Sequence, residues 1–166
     1  MCTFFHTQEN VHTWIGFAEF AKCSVPPMNR GKLCDLFKTN YKHMKKKILV
    51  VDDERTIRML LENYLGQNYE VTVKTDGLDA INWLNTGHIP DLIIADINMP
   101  NMDGHAFVEN IRSSGYFSGI PIIMLSASES SSEKVKFLRL GASDYMVKPF
   151  NPEELEVRIE LLLNRN

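Results

Sequence analysis

Cysteine is scarce in this chain of 166 residues: Cys2, Cys23 and Cys34 are the only three, with none beyond residue 34. An odd number, at spacings that fit no metal motif, argues against a disulfide framework or a zinc site. It points to free thiols in a reducing compartment. Positive charge is not in excess. Eighteen Lys and Arg stand against 21 Asp and Glu, a formal net charge of −3. Bulk electrostatics therefore give no reason to expect direct nucleic-acid binding. No apolar run approaches the roughly 18 residues that a membrane-spanning helix needs. A basic start followed by an apolar stretch is also missing, so no secretory signal is expected and the location is expected to be cytoplasmic. Internal repeats and low-complexity tracts are lacking. What remains is an ordinary globular composition, 44% apolar and 23% charged, at a length that suggests one domain and some extra.

The character of the sequence changes near Met44. Residues 1–43 carry a net charge of +2 and residues 44–166 a net −5. In the first segment Val11, Trp14, Ile15, Ala18 and Ala21 recur at helical spacing, so residues 8–22 can form an amphipathic helix, ended by Pro26-Pro27. Met44 opens MKKKILVVDDE, which reads as a natural start for the regular part of the chain. Residues 1–43 are thus expected to be a poorly ordered extension or a start placed too far upstream. The competing reading is a helix over 8–22 that docks an apolar stripe.

From Lys45 onward the pattern is periodic. Ile48–Val51 is a continuous apolar run, suited to a strand buried on both faces. Residues 54–66 put Ile57, Leu60, Leu61, Tyr64 and Leu65 on one helical face. Residues 69–75 read as strand, 77–86 as helix, 91–97 as strand, 104–114 as helix and 120–127 as strand. A helix over 130–140 ends at Gly141, a short strand covers 144–148, and a last helix covers 152–164 with Asn151 as cap and Pro152 in first position. Strands alternating with helices at this spacing predict βαβ units and a parallel sheet covered on both faces. Ligands of such sheets bind beyond the carboxyl ends of the strands.

Those ends carry the chemistry. Asp52 and Asp53 close the first strand, Asp96 the third, Ser126 the fourth and Lys148 the fifth. Carboxylates that converge repel one another without a counter-ion. Mg²⁺, which takes oxygen ligands and keeps several waters, answers that need with one or two direct carboxylates. Lys148 adds a positive charge that can pair with a carboxylate or a phosphoryl oxygen, and Ser126 adds a hydroxyl. These parts suit phosphoryl transfer, where a protein chiefly positions groups and neutralises charge. A carboxylate can itself be the nucleophile. Each residue alone has an ordinary reading: an Asp pair caps a helix, a Lys before Pro is solvated, a Ser ends a strand. Asp96 stands out because it follows buried LIIA, where a charge needs a reason. The argument rests on four strand ends bearing complementary groups at once.

ILVVDDE, DLIIADINMPNMDG, PIIMLSA and GASDYMVKPF, in that order, resemble the receiver domain of bacterial two-component response regulators. The resemblance covers about residues 45–165 and implies a flavodoxin-like sheet of order 2-1-3-4-5. It implies Asp96 as phosphoacceptor, Asp53, Asp96 and the Asn98 backbone carbonyl as Mg²⁺ ligands with Asp52 acting mostly through a metal-bound water, and Ser126 and Lys148 as phosphoryl-oxygen partners. It implies a switch in which Ser126 is drawn to the phosphoryl group and Tyr145 turns inward, and a cis Lys148-Pro149 bond. Gly104 is expected only to permit a tight turn. The partners implied are a sensor histidine kinase or histidine phosphotransfer protein and a downstream protein target. No effector domain is expected after Asn166, so a stand-alone receiver is expected, with output by a protein–protein contact, a phosphorelay transfer or something in residues 1–43, and not an enzyme acting on separate substrates. The last quarter is most similar to receivers of winged-helix regulators, whose dimer face would here pair Lys134 with Glu154 and Asp144 with Arg158 across subunits. The alternatives fit less well. A haloacid dehalogenase-type phosphohydrolase needs Asp-x-Asp where this chain has Asp53-Glu54-Arg55, and a flavodoxin needs a phosphate loop where Asp52-Asp53-Glu54 would repel phosphate. A receiver cut from a larger histidine-kinase protein stays open.

Overall fold

The computed structural model describes residues 45–165; the expectations for residues 1–43, including a helix over 8–22, lie outside the described residues. Among the described residues five strands alternate with five helices. They are β1 (Lys47–Val51), α1 (Arg55–Leu65), β2 (Glu70–Lys74), α2 (Gly77–Asn85), β3 (Leu92–Asp96), α3 (Gly104–Ser113), β4 (Ile122–Ser126), α4 (Ser131–Leu140), β5 (Asp144–Val147) and α5 (Pro152–Leu163). All strand pairings are parallel and the order is β2-β1-β3-β4-β5, as the alternation and the resemblance predict.

The period of two along each strand sorts side chains between two apolar layers. Leu49, Val51, Ile93, Ala95, Ile122 and Met124 face one layer, with Ala80 and Leu84 of α2, Phe107 and Ile111 of α3 and Phe137 of α4. Ile48, Val50, Leu92, Ile94, Ile123 and Leu125 face the other, with Leu61 and Leu65 of α1 and Leu155 and Ile159 of α5. The central strands β3 and β4 are buried throughout, which is why their sequences are continuous apolar runs. One expectation needs correcting. Leu60 is not part of the buried face of α1 but 43% exposed. The stripe that α1 lays on the sheet is narrow, centred on Leu61 and Leu65, and Leu60 stands at its edge.

The helices begin and end where local chemistry allows. Asp76, Asp103 and Asn151 each accept a backbone N–H in the first turn of α2, α3 and α5. Gly141 ends α4 with φ of 107°, a left-handed conformation that favours glycine. Arg112 ties the far end of the sheet together. Its guanidinium donates to the carbonyls of Gly141, Ser118 and Ile120 at 2.8–2.9 Å. Among the described residues no helix is long and apolar enough to cross a membrane.

Candidate functional site

Register delivers the site. Val51 pairs with Ala95, so the residues that follow, Asp52 and Asp96, emerge side by side at the carboxyl edge. Asp96 pairs with Leu125, so Ser126 lies one step beyond it on β4. Ser126 pairs with Val147, and Lys148 is the next residue. The Lys148 ammonium lies 2.7 Å from Asp52 Oδ2 and 2.7 Å from Asp96 Oδ1. One cation thus joins the ends of β1 and β3, reaching across from the chain end of β5. The remaining carboxylate oxygens are also used. Asp52 Oδ1 accepts from the Glu54 N–H and Asp96 Oδ2 from the Asn98 N–H, both at 2.9 Å. Arg58 of α1 donates to the Asp52 carbonyl at 2.7 Å.

This is a partly desolvated cluster. Asp52, Asp96 and Ser126 are buried, at 0%, 5% and 1% exposure. Burial pushes the Asp52 carboxyl above its ordinary range, against the opposing pull of Lys148 and the Glu54 N–H. Burial works to lower the Lys148 ammonium, but its bonds to Asp52 and Asp96 outweigh that and leave it raised. The net charge of two carboxylates and one ammonium is −1, so the cluster keeps an appetite for a further cation.

Most sequence-predicted residues gather here. Asp52, Asp96, Ser126 and Lys148 meet at one edge. Asp53 follows Asp52 directly but is exposed, and Asn98 contributes a backbone N–H to Asp96. Among the described residues no three His, Cys, Asp or Glu side chains form a metal cage by themselves. Two buried hard-oxygen carboxylates at one edge are the donors that suit Mg²⁺, which is bound by few carboxylates and retains waters. Tyr145 is already inside, 3% exposed, with its hydroxyl 3.1 Å from both the Ser128 carbonyl and Glu133 Oε2. The Lys148-Pro149 bond is cis. Gly104 does more than permit a turn. A Cβ there would stand 2.6 Å from the Asp96 carbonyl and 2.8 Å from Ile97 Cα, so its bareness lets α3 press against the end of β3.

The four proposed dimer residues divide differently. Arg158 bonds Asp144 at 2.6 Å and Glu154 at 2.7 Å within one chain, while Lys134 is exposed with no ion pair among the described residues. Sequence reasoning missed Arg58, Glu133 and the buried Asp76, which accepts from Asn101 at 3.0 Å. Asp76 had a visible signal: an Asp-Gly pair after a strand, three residues before another Asp.

A family model described as the response regulator receiver domain matches residues 48–160. The chain belongs to that family. It is 47% identical over 122 residues to "Probable transcriptional regulator ycf27" of Cyanophora paradoxa, covering 73% of this chain and 49% of the relative. It is 41% identical over 124 residues to "Alkaline phosphatase synthesis transcriptional regulatory protein PhoP" of Bacillus subtilis (strain 168), covering 74% and 50%. Among solved structures, the chemotaxis response regulator CheY4 of Vibrio cholerae superposes with a TM-score of 0.68 at 35% identity, over 72% of this chain and 99% of that one. The chain spans about half the length of the curated relatives it matches. Those curated relatives are named as transcriptional regulators. The expectation of no direct nucleic-acid binding rested on net charge and on no effector domain being expected after Asn166; the relatives' names limit it to this receiver, because charge on a receiver says nothing about the output of a longer protein that carries one.

Proposed function

We propose that this receiver is a phosphorylation-dependent switch of a two-component system, with Asp96 as its phosphoacceptor. The observation that carries the reading is the single Lys148 ammonium held 2.7 Å from both Asp52 and Asp96 at adjacent strand ends. A buried carboxylate nucleophile, a cation beside it and a Ser126 hydroxyl one strand over supply the parts that phosphoryl transfer needs. In the proposed step an Asp96 carboxylate oxygen attacks the phosphorus of a phosphohistidine on a sensor histidine kinase or histidine phosphotransfer protein. The P–N bond breaks as the P–O bond forms, and the imidazole leaves on the donor protein. Lys148 turns from the Asp96 carboxylate toward a phosphoryl oxygen, and Ser126 donates its hydroxyl to another.

Asp52, Asp53, Asp96 and the Asn98 carbonyl are the proposed Mg²⁺ ligands. When bound, the ion neutralises charge on the phosphoryl oxygens. The only chemistry proposed is the receiver's own phosphorylation and the hydrolysis that reverses it. Output is proposed to run through protein–protein contact in the cytoplasm, on a face reset by Ser126 and Tyr145, in the service of a transcriptional role of the kind the relatives' names state. A symmetric homodimer over Lys134, Asp144, Glu154 and Arg158 is one proposed form of that contact.

Acetyl phosphate with Mg²⁺, read by intact mass, tests the acceptor. One phosphoryl group on the wild type, dependent on Mg²⁺ and missing from Asp96→Ala, is the expected result. A wild type that takes up none would overturn the proposal.

A further inference from the structure

Glu133 lies in the first turn of α4 and belongs to neither the acidic cluster nor the core. Its Oε2 nevertheless gathers two buried hydroxyls. Ser126 Oγ donates to it at 3.3 Å, and Tyr145 OH stands 3.1 Å from it and 3.1 Å from the Ser128 carbonyl, with one proton for the two acceptors. The two donors come from neighbouring strands, since Met124 pairs with Tyr145 and Ser126 follows two residues on. Burial pushes the Tyr145 phenol up against an opposing pull from the Ser126 hydroxyl, and Glu133 adds to the rise, so the phenol stays a donor. Ser126 Oγ also accepts the Ser128 N–H at 3.0 Å, which fixes the oxygen and leaves its one proton to be donated. A serine has a single proton to give. While Glu133 holds it, an oxygen on Asp96 cannot.

We propose that Glu133 is a positioning residue that latches Ser126 in the unphosphorylated arrangement and competes with a phosphoryl group on Asp96 for the Ser126 hydroxyl. The proposal rests on Asp96 being the phosphoacceptor. Coupling of this kind is reciprocal. If the phosphoryl group takes the Ser126 proton, Glu133 loses a partner, and the first turn of α4 loses an anchor to the sheet. If Glu133 is neutralised, the phosphoryl group meets less competition.

Beryllofluoride with Mg²⁺ serves as the phosphoryl analogue, and its dissociation constant is measured by titration. The wild type should bind it and Asp96→Ala should not. Glu133→Gln should bind it more tightly, on the order of tenfold, because a neutral amide oxygen accepts more weakly than a carboxylate. The discriminating variant is Glu133→Gln made together with Ser126→Ala. Competition for the hydroxyl predicts that the gain from Glu133→Gln disappears when Ser126 is alanine. A simple loss of negative charge near an anion predicts that the gain persists. An unchanged constant in Glu133→Gln, or a gain that survives without Ser126, overturns the latch while leaving Asp96 in its role. A wild type that does not bind the analogue overturns the Asp96 reading and the latch with it.

Discussion

Replacing Lys148 by methionine removes one ammonium, keeps the apolar stem and leaves both carboxylates behind. Asp52 and Asp96 are 0% and 5% exposed, so neither can turn to bulk water for compensation. Truncating one partner of a buried ion pair costs about 3–5 kcal/mol. The Glu54 and Asn98 N–H groups still bond one oxygen of each carboxylate, and the Lys148 side chain keeps 16% exposure. The expected loss therefore sits at the low end, about 3 kcal/mol near pH 7. The loss also has a pH dependence of definite sign. A carboxyl whose folded value is raised contributes stability below its unfolded value, and that contribution is lost as pH rises through the folded value. Asp52 is already raised above 3.8 by burial, and without Lys148 it rises further. The penalty of the substitution should thus shrink as pH falls from about 7 to about 5. Lys148 itself is raised above 10.5, so the wild-type contribution holds below that value and is lost as pH climbs through the higher folded one. Urea denaturation followed by circular dichroism, at both pH values, reads the effect. Mg²⁺ at 100 times its Kd would return about 2.7 kcal/mol to any form that binds it. A loss below about 1 kcal/mol near pH 7, or one that is equal at the two pH values, would refute the reasoning.

Two further outcomes follow from the geometry. Gly104→Ala forces a Cβ to within 2.6 Å of the Asp96 carbonyl and 2.8 Å of Ile97 Cα, both backbone atoms that cannot step aside. It should lower stability by about 1–3 kcal/mol and weaken beryllofluoride binding together, and an unchanged urea midpoint would contradict the close approach. Sedimentation with and without beryllofluoride tests the dimer. Arg158 must give up its own Asp144 and Glu154 for the Asp144 of a second copy, while Glu154 turns to that copy's Lys134; surface pairs of this kind are worth about 0–1 kcal/mol each, so the exchange is cheap and the dimer fraction should rise with the analogue. A monomer in both conditions removes the dimer.

The sheet and the acidic edge were legible in the sequence for one physical reason. A strand buried on both faces must be apolar along its whole length, so ILVV, LIIA and IIML each mark a strand and the first polar residue after each marks its end. Parallel pairing then forces those end residues onto one edge. The caps at Asn151 and Gly141 were legible because they act through their own neighbours in the chain. Leu60 was misjudged because periodicity gives the direction of a helical face and not its width.

Contacts that depend on the placement of one element over another left no such mark. Glu133 sits in the run Glu129-Ser130-Ser131-Ser132-Glu133, and nothing local separates it from Glu129. Only the seating of α4 over the ends of β4 and β5 brings it to Ser126 and Tyr145. Arg112 likewise reads as a helix-end charge until the carbonyls of Gly141, Ser118 and Ile120 are found around it. Lys148 lies between these extremes. Its position at a strand end was readable, but whether it pairs with a carboxylate or waits for a phosphoryl oxygen was not. The structure has it paired with two carboxylates at once. That pairing bears directly on the switch: the cation that would stabilise the phosphoryl group is the same one that stabilises the resting edge. On the proposed reading, phosphorylation draws Lys148 from Asp96 as well as Ser126 from Glu133. On that reading the groups that hold the resting state are the same ones that respond to the phosphoryl group, so the balance between the states would be set by how strongly Asp52, Asp96 and Glu133 hold those donors.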